Sequence, residues 1–288
     1  VAYAPGGPTD IVARFFAQEL GTKLNQPVLV ENRAGAGTLI GTESVIKATP
    51  DGYTLFWGTP ATVITPLLHK NPTYDVLKDL QPVSLATTQS MGVLVSASIG
   101  INSVSDLVKY AKANPGKVMF GSSGNGGANH LSGELFKSMA KIDMVHVPYK
   151  GEAPALTDLI GGQVDFIFGT MPALLPQIKA GKLKALMVGQ PKRSSAVADI
   201  PTASEAGFPS VNVTGWTGIV APAGTPPAVV KRMSEEIQKI LALSDIRETL
   251  VAAGAEPVGS TPEQFGEFIR TEIVKWGLAV KRAGITPD

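Results

Sequence analysis

Cysteine is absent from all 288 residues, which excludes disulfides, thiolate metal ligands and a cysteine nucleophile together. Histidine is nearly absent. His69, His130 and His146 form neither an i, i+4 pair nor an H-E-x-x-H run, so a zinc site has no footing. A charge of one sign is also missing, with 25 basic residues against 24 acidic. The densest basic group, Lys182, Lys184, Lys192 and Arg193, is too thin for the stripe that a phosphate backbone requires, and this argues against nucleic acid as a partner. No apolar run reaches the ~20 residues that span a bilayer. The chain opens on Val1, inside what reads as a strand, with no basic segment ahead of an apolar one. We therefore expect that the natural N-terminus lies ahead of Val1, whether lost with a signal peptide or otherwise, and export is permitted.

The composition, 44% hydrophobic and 17% charged, is that of a globular chain, and the length predicts two domains with ample core. Short β-branched or aromatic runs, "PVLVEN", "YTLFWG", "KVMFGSS", "MVHVPY", "VDFIFGT" and "LKALMVG", alternate with segments of helical spacing. That alternation predicts an α/β fold of βα units around a mainly parallel sheet. After "YAPGGPTD" the spacing puts Ile11, Val12, Phe15, Phe16, Ala17 and Leu20 on one helical face able to pack on a sheet. Near the C-terminus, "STPEQFGEFIRTEIVKW" predicts a helix capped at Ser260 or Thr261 with Glu263 in its first turn. The runs "VLVSA", after a turn-like "QSMG", and "WTGIVAPAGTP" are candidate crossings between the domains. They predict one lobe from residues 1–95 with 218–288, and a second from 96–217. Trp216, beside one crossing, is a candidate hinge-packing residue.

Two glycine-rich loops have the same layout. "YAPGGPTD" and "FGSSGNGGANH" each follow a strand-like run and open a helix, so free backbone N–H groups meet the positive end of a helix dipole. If both helices face one cleft, the loops together cradle an anion, with Thr9, Ser122, Ser123, Asn125 and Asn129 as neutral donors. Tight turns and helix caps account for either loop taken alone. Asp10, in the first helical turn, reads first as a cap that holds the loop. Nucleotide templates fit poorly, because one loop lacks the Lys-Ser/Thr ending and the other the G-x-G-x-x-G spacing. Ser123 is followed directly by Gly124, so the G-x-S-x-G elbow of serine hydrolases is missing. A hydrolase or transferase using His130 and a serine is the competing reading, and a solute sensor serving a signalling protein is a third. Three further strand ends, "WGTPAT", "VPYKG" and "FGTMPA", place loops where α/β proteins bind ligands.

Taken in order, "YAPGGPTD", "VENRAGAGTLIG", "TPDGYTL", "GSSGNGGANHLSGELFKSMA", "VHVPYKGEAPALTDLIGGQVDF", "IKAGKLKAL", "PTASEAGFP", "VAPAGTP" and "GAEPVGSTPEQF" resemble the Bug (TctC-like) extracytoplasmic solute receptors of tripartite tricarboxylate transporters. The resemblance spans nearly the whole chain. It implies a type II periplasmic binding fold: two α/β lobes with crossing hinge strands, closing over a small carboxylate ligand. It further implies a periplasmic monomer without cofactor, metal or catalysis, which serves membrane permease subunits. By this resemblance the carboxylate is held by the loops carrying Tyr3, Gly6, Gly7, Pro8, Thr9 and Asp10, and Ser122, Ser123, Asn125, Ala128, Asn129 and His130. Thr59, Ala61, Thr62, Tyr149, Lys150, Phe168, Gly169 and Thr170 line the rest and set specificity. Many such receptors carry an acid right after the position of Phe168, where this chain has Gly169. A cationic ligand group thereby loses a partner, and the expectation leans to a plain carboxylate.

Overall fold

The computed structural model describes residues 1–287 except 191, 194–196, 210 and 212; of Pro8 it describes the backbone only. The N-terminal part runs through α1 (Pro8–Leu24), α2 (Leu39–Ile46), β1 (Phe56–Gly58), α3 (Pro60–Ile64) and α4 (Val76–Asp79) into a long strand, β2 (Leu80–Ser96). Four strand–helix alternations follow: α5 (Val104–Ala113), β3 (Val118–Ser122), α6 (Ala128–Ala140), β4 (Met144–Pro148), α7 (Glu152–Ile160), β5 (Phe166–Thr170), α8 (Met171–Lys179) and β6 (Leu183–Val188). The chain returns along β7 (Thr214–Pro222) and ends with α9 (Pro227–Ala242), α10 (Ser244–Ala252), β8 (Ala255–Pro257) and α11 (Pro262–Arg282).

β2 organises the molecule. Its first part pairs with β7, from Leu80 opposite Pro222 to Ser90 opposite Thr214, and with β8 through Thr87–Gln89. Its last residues pair with β5, from Met91 opposite Thr170 to Val95 opposite Phe166, and with β6. One strand thus belongs to two hydrogen-bonded groups, and apolar clusters form on each. Around the first lie Phe16, Trp57, Ile219 and Ile237, and Phe56, Trp216 and Phe265. Around the second lie Phe120, Phe136, Phe166 and Met187, and Leu159, Ile167 and Leu174.

The strand–helix alternation is as the sequence predicts, but the sheet is not mainly parallel. Among the described pairs, only β3 with β4 and β3 with β5 are parallel. The crossing strands β2 and β7 run against their neighbours and make the remaining pairs antiparallel. "QSMG" is strand, not turn. Gly92 is needed there because a Cβ would meet the Met187 carbonyl oxygen of β6 at 2.6 Å. "PVLVEN" is extended without forming a ladder; its register rests on Val1, whose amino group donates to the Glu31 carbonyl (2.8 Å) and whose carbonyl accepts from Arg33 N–H (2.8 Å). On α1, Val12, Phe16, Ala17 and Leu20 are buried as predicted, but Ile11 is 59% exposed and Ala13 takes a core position. Thr261 caps α11, accepting from Gln264 N–H at 3.2 Å.

α11 ties the two clusters together through a buried carboxylate. Glu272 Oε2 accepts from the indole N–H of Trp216 on β7 (2.8 Å) and from that of Trp276 (2.9 Å), while Lys275 pairs with Oε1. Removing the carboxylate strands two buried donors, at about 1–3 kcal/mol each. We expect Glu272→Ala to lower unfolding free energy by about 3 kcal/mol, read by urea denaturation, with Glu272→Gln losing less because it keeps an acceptor.

Candidate functional site

Every loop that borders the cleft begins where a strand or extended segment ends, as open α/β sheets require of a ligand site. The N-termini of α1, α6, α7 and α8 converge on one cavity, bringing Gly7 and Thr9, Ala128 and Asn129, Gly151 to Pro154, and Thr170 to its wall. Thr59, Pro60 and Ala61 at the start of α3 close another side, and Gln89, Met91, Gly215, Trp216 and Thr217 of β2 and β7 form the floor. First-turn amides have no partner within their own helix, and each dipole favours a nearby negative group by about 0.3–1 kcal/mol. The cavity is about 60 Å³, room for about four waters or one small polar guest. Its lining suits a carboxylate.

A second, wider chamber of about 580 Å³ adjoins it, sharing Tyr3, Ala61, Ser123 and Lys150. Asn125, His130 and Tyr149 sit there, facing the Ala34–Leu39 segment.

Several residues that the sequence singles out hold this wall from behind. The Asp10 carboxylate is buried and accepts from Gly6 N–H (2.9 Å), Arg14 Nε (3.0 Å) and Asn32 Nδ2 (2.8 Å). Burial works against its charge, but these bonds prevail and keep its pKa below the ordinary carboxylate value. Asp10 is therefore the clamp on the Gly6–Thr9 turn, as its capping reading anticipates. Thr62 Oγ1 accepts from Thr59 N–H (3.1 Å), and Thr59 Oγ1 bonds the Tyr3 hydroxyl (3.0 Å). Asn129 accepts from Ser123 Oγ (2.8 Å) and donates to the Phe168 carbonyl (2.5 Å), tying the second loop to β5. The Phe168 ring departs from the expected cleft wall: it is buried against Phe136 and Phe166, because its position on β5 points it into the core. Only the backbone of Pro8 is described, as the first residue of α1.

The structure pairs a serine with a histidine, though not the predicted one. Ser122 Oγ lies 2.6 Å from His146 Nε2, and the same oxygen accepts from Gly124 N–H (3.1 Å). His146 stacks on His130 at 4.0 Å, and burial together with that neighbour lowers its pKa to about 3. Burial lowers His130 to about 4, and its Nδ1 accepts from Gly126 N–H (3.3 Å). Neither imidazole is poised to take a proton near neutrality. The stack props the loop. Among the described residues, no group of three or more His, Asp or Glu side chains could hold a metal ion, and no helix is long and apolar enough to cross a membrane.

Residues 12–285 match the family described as tripartite tricarboxylate transporter family receptor. The chain belongs to that family. The receptor is 37% identical to Bordetella pertussis BugT over 286 residues, covering 99% of this chain and 88% of that protein. Its fold is similar to an R. palustris protein solved with adipate (TM-score 0.96, 34% identity, covering 100% of this chain and 97% of the other). It is also similar to Rhodopseudomonas palustris MatC solved with malate (TM-score 0.93, 33% identity, covering 97% of each chain). As a member of this family the chain is a solute-binding receptor of periplasmic binding protein fold, and not an enzyme.

One cleft residue of the receptor escapes the sequence reading altogether. Glu152 opens α7, is only 7% exposed and accepts from Thr170 N–H (2.5 Å) and Thr170 Oγ1 (2.9 Å). An acid directly after Gly151 at the end of "VPYKG" is the signal that was available. Burial pushes its pKa up from 4.5 to about 7, against the two bonds from Thr170. The folded state then holds more protons than the unfolded chain between those values, so stability falls as pH rises across that window. The full difference is about 3 kcal/mol at ~1.4 kcal/mol per pKa unit. Denaturant titrations at pH 5 and pH 8 should show a loss of this order in the native sequence and a smaller one in Glu152→Gln.

Proposed function

We propose that this receptor captures a small carboxylated organic solute in the periplasm and delivers it to the membrane permease subunits of a tripartite tricarboxylate transporter. The observation that carries the reading is the convergence of four helix N-termini from both sides of β2 on one small cavity. Gly7 and Thr9 approach from one side and Ser123, Ala128 and Asn129 from the other, so amides and hydroxyls of separate elements surround a single anionic group. The adipate and malate held by the similar structures support the same chemistry.

In this reading residues 1–95 with 218–288 close against 96–217, bending at the crossing strands. Contacts from both lobes to one solute exist together only when the lobes are closed. Binding therefore shifts the population towards closure by the difference in affinity between the two states, and the permease meets the closed form. The protein acts as a monomer.

A thermal-shift screen of mono-, di- and tricarboxylates tests the reading. A ligand at about 1,000 times its Kd adds about 4 kcal/mol to stability, and mass spectrometry should recover the solute unchanged. Consumption of the solute, or the absence of any shift across the panel, would count against it. Two substitutions localise the site. Asp10→Ala releases the Gly6–Thr9 turn and should weaken binding at least tenfold while circular dichroism stays native. Gly7→Leu should abolish binding without unfolding, since a Cβ at Gly7 has only the Ala4 carbonyl within 4 Å, at 3.8 Å, while a longer side chain enters the cavity.

A further inference from the structure

A cavity built of helix N-termini has no evident use for a carboxylate of its own, yet Glu152 is on its wall. Among the described residues it is the one acidic side chain that borders either chamber, and it takes part in no ion pair. Three features place it. It is the first residue of α7, where the helix dipole favours a negative group. Both of its oxygens accept from Thr170, at the end of β5. Finally, β5 clears the space it fills: a Cβ at Gly169 would lie 2.7 Å from Glu152 Oε1 and 2.7 Å from Leu174 Cδ1. Glycine at 169 and glutamate at 152 form one packing solution.

An ionised carboxylate has about four acceptor positions, and Thr170 fills two. The remaining lone pairs belong to a group that borders the same cavity as Thr9, Ser123 and Lys150. A bare carboxylate ligand would meet repulsion there, whereas a ligand carrying a hydrogen-bond donor would satisfy it. We propose that Glu152 is a specificity-determining residue of the cleft, accepting from an ammonium or hydroxyl group that the carboxylate solute carries. This rests on the carboxylate reading above and adds the second recognition element. The titratable groups that border the cavity with Glu152 are Tyr3, whose hydroxyl bonds Thr59, and Lys150, which is exposed. The burial that raises the Glu152 pKa to about 7 also makes an ammonium partner sensitive to pH in the neutral range.

The test is isothermal titration of the ligand-free chain with matched acids of three, four and five carbons: propionate, lactate and alanine; succinate, malate and aspartate; glutarate, 2-hydroxyglutarate and glutamate. Within at least one set, the hydroxy or amino acid should bind at least tenfold tighter than its unsubstituted partner. Glu152→Gln should reduce that ratio below about threefold while the unsubstituted acid binds as well as before or better. Which member wins identifies the donor as hydroxyl or ammonium. For an ammonium, affinity should also fall as pH drops from 8 to 5.5 in the native sequence and stay level in Glu152→Gln, which a purely structural role would not produce. Should the amide variant fail to fold, Glu152→Asp carries the comparison, retaining the charge one methylene back and a reduced preference. Unsubstituted acids binding as tightly as their partners, or a ratio unchanged by Glu152→Gln, would overturn the assignment and leave the carboxylate reading intact. Failure of every acid to bind would overturn both.

Discussion

A β-strand has two hydrogen-bonding edges, and β2 uses both of them on either side of the cleft. Thr87–Gln89 lie between β7 and β8, and Gly92–Val95 between β5 and β6. The backbone groups of one 17-residue segment therefore join two hydrogen-bonded groups of strands. A strand used in this way has no face to give to solvent, and it is buried along nearly all its length. The cleft lies where the allegiance changes, near Gln89 and Met91, which line its floor. The site's position follows from this strand before any ligand-facing side chain is considered.

The loops above that floor divide their labour. Residues that touch the cavity supply amides and small polar groups, while a layer behind them is spent on keeping those groups in place. Asp10 holds the first turn, Asn129 the second, and the Ser122–His146–His130 assembly props the second from outside. A serine beside a histidine invites a catalytic reading, and environment decides against it. Desolvation disfavours the charged form of both stacked, partly buried imidazoles, and His130 adds to it at His146, so hydrogen-bonding capacity goes into architecture.

Much of this was legible in the sequence because it depends on local patterns. Gly-rich segments ahead of amphipathic runs marked two of the helix N-termini, and "WTGIVAPAGTP" marked β7. What was illegible depended on which backbones come close. "QSMG" has turn composition, yet Gly92 is glycine because β6 passes against it. "PVLVEN" has strand composition, but a strand needs a neighbour, and here the run is held by Val1 and by the Asn32 side chain rather than by a ladder. Phe168 reads from the sequence as core or cleft wall because its strand ends at the cleft, and only the alternation along β5 decides for the core. Glu152 was missed for the same kind of reason. Whether an acid at a helix start faces water or a cavity is decided by what stands opposite, in this case Gly169 and Thr170.

The shared carboxylate of Glu272 has an optical consequence. Of the three tryptophans only Trp216 borders the cleft; Trp57 and Trp276 are buried away from it, and Trp216 and Trp276 donate their indole N–H groups to the one Glu272 carboxylate. A solute settling on the floor meets the Trp216 ring directly and the Trp276 ring only through Glu272. The chain thus carries its own fluorophore at the point where its two halves meet. A change in emission on ligand addition therefore reports on the Trp216–Glu272–Trp276 assembly, without a label and without disturbing the cleft.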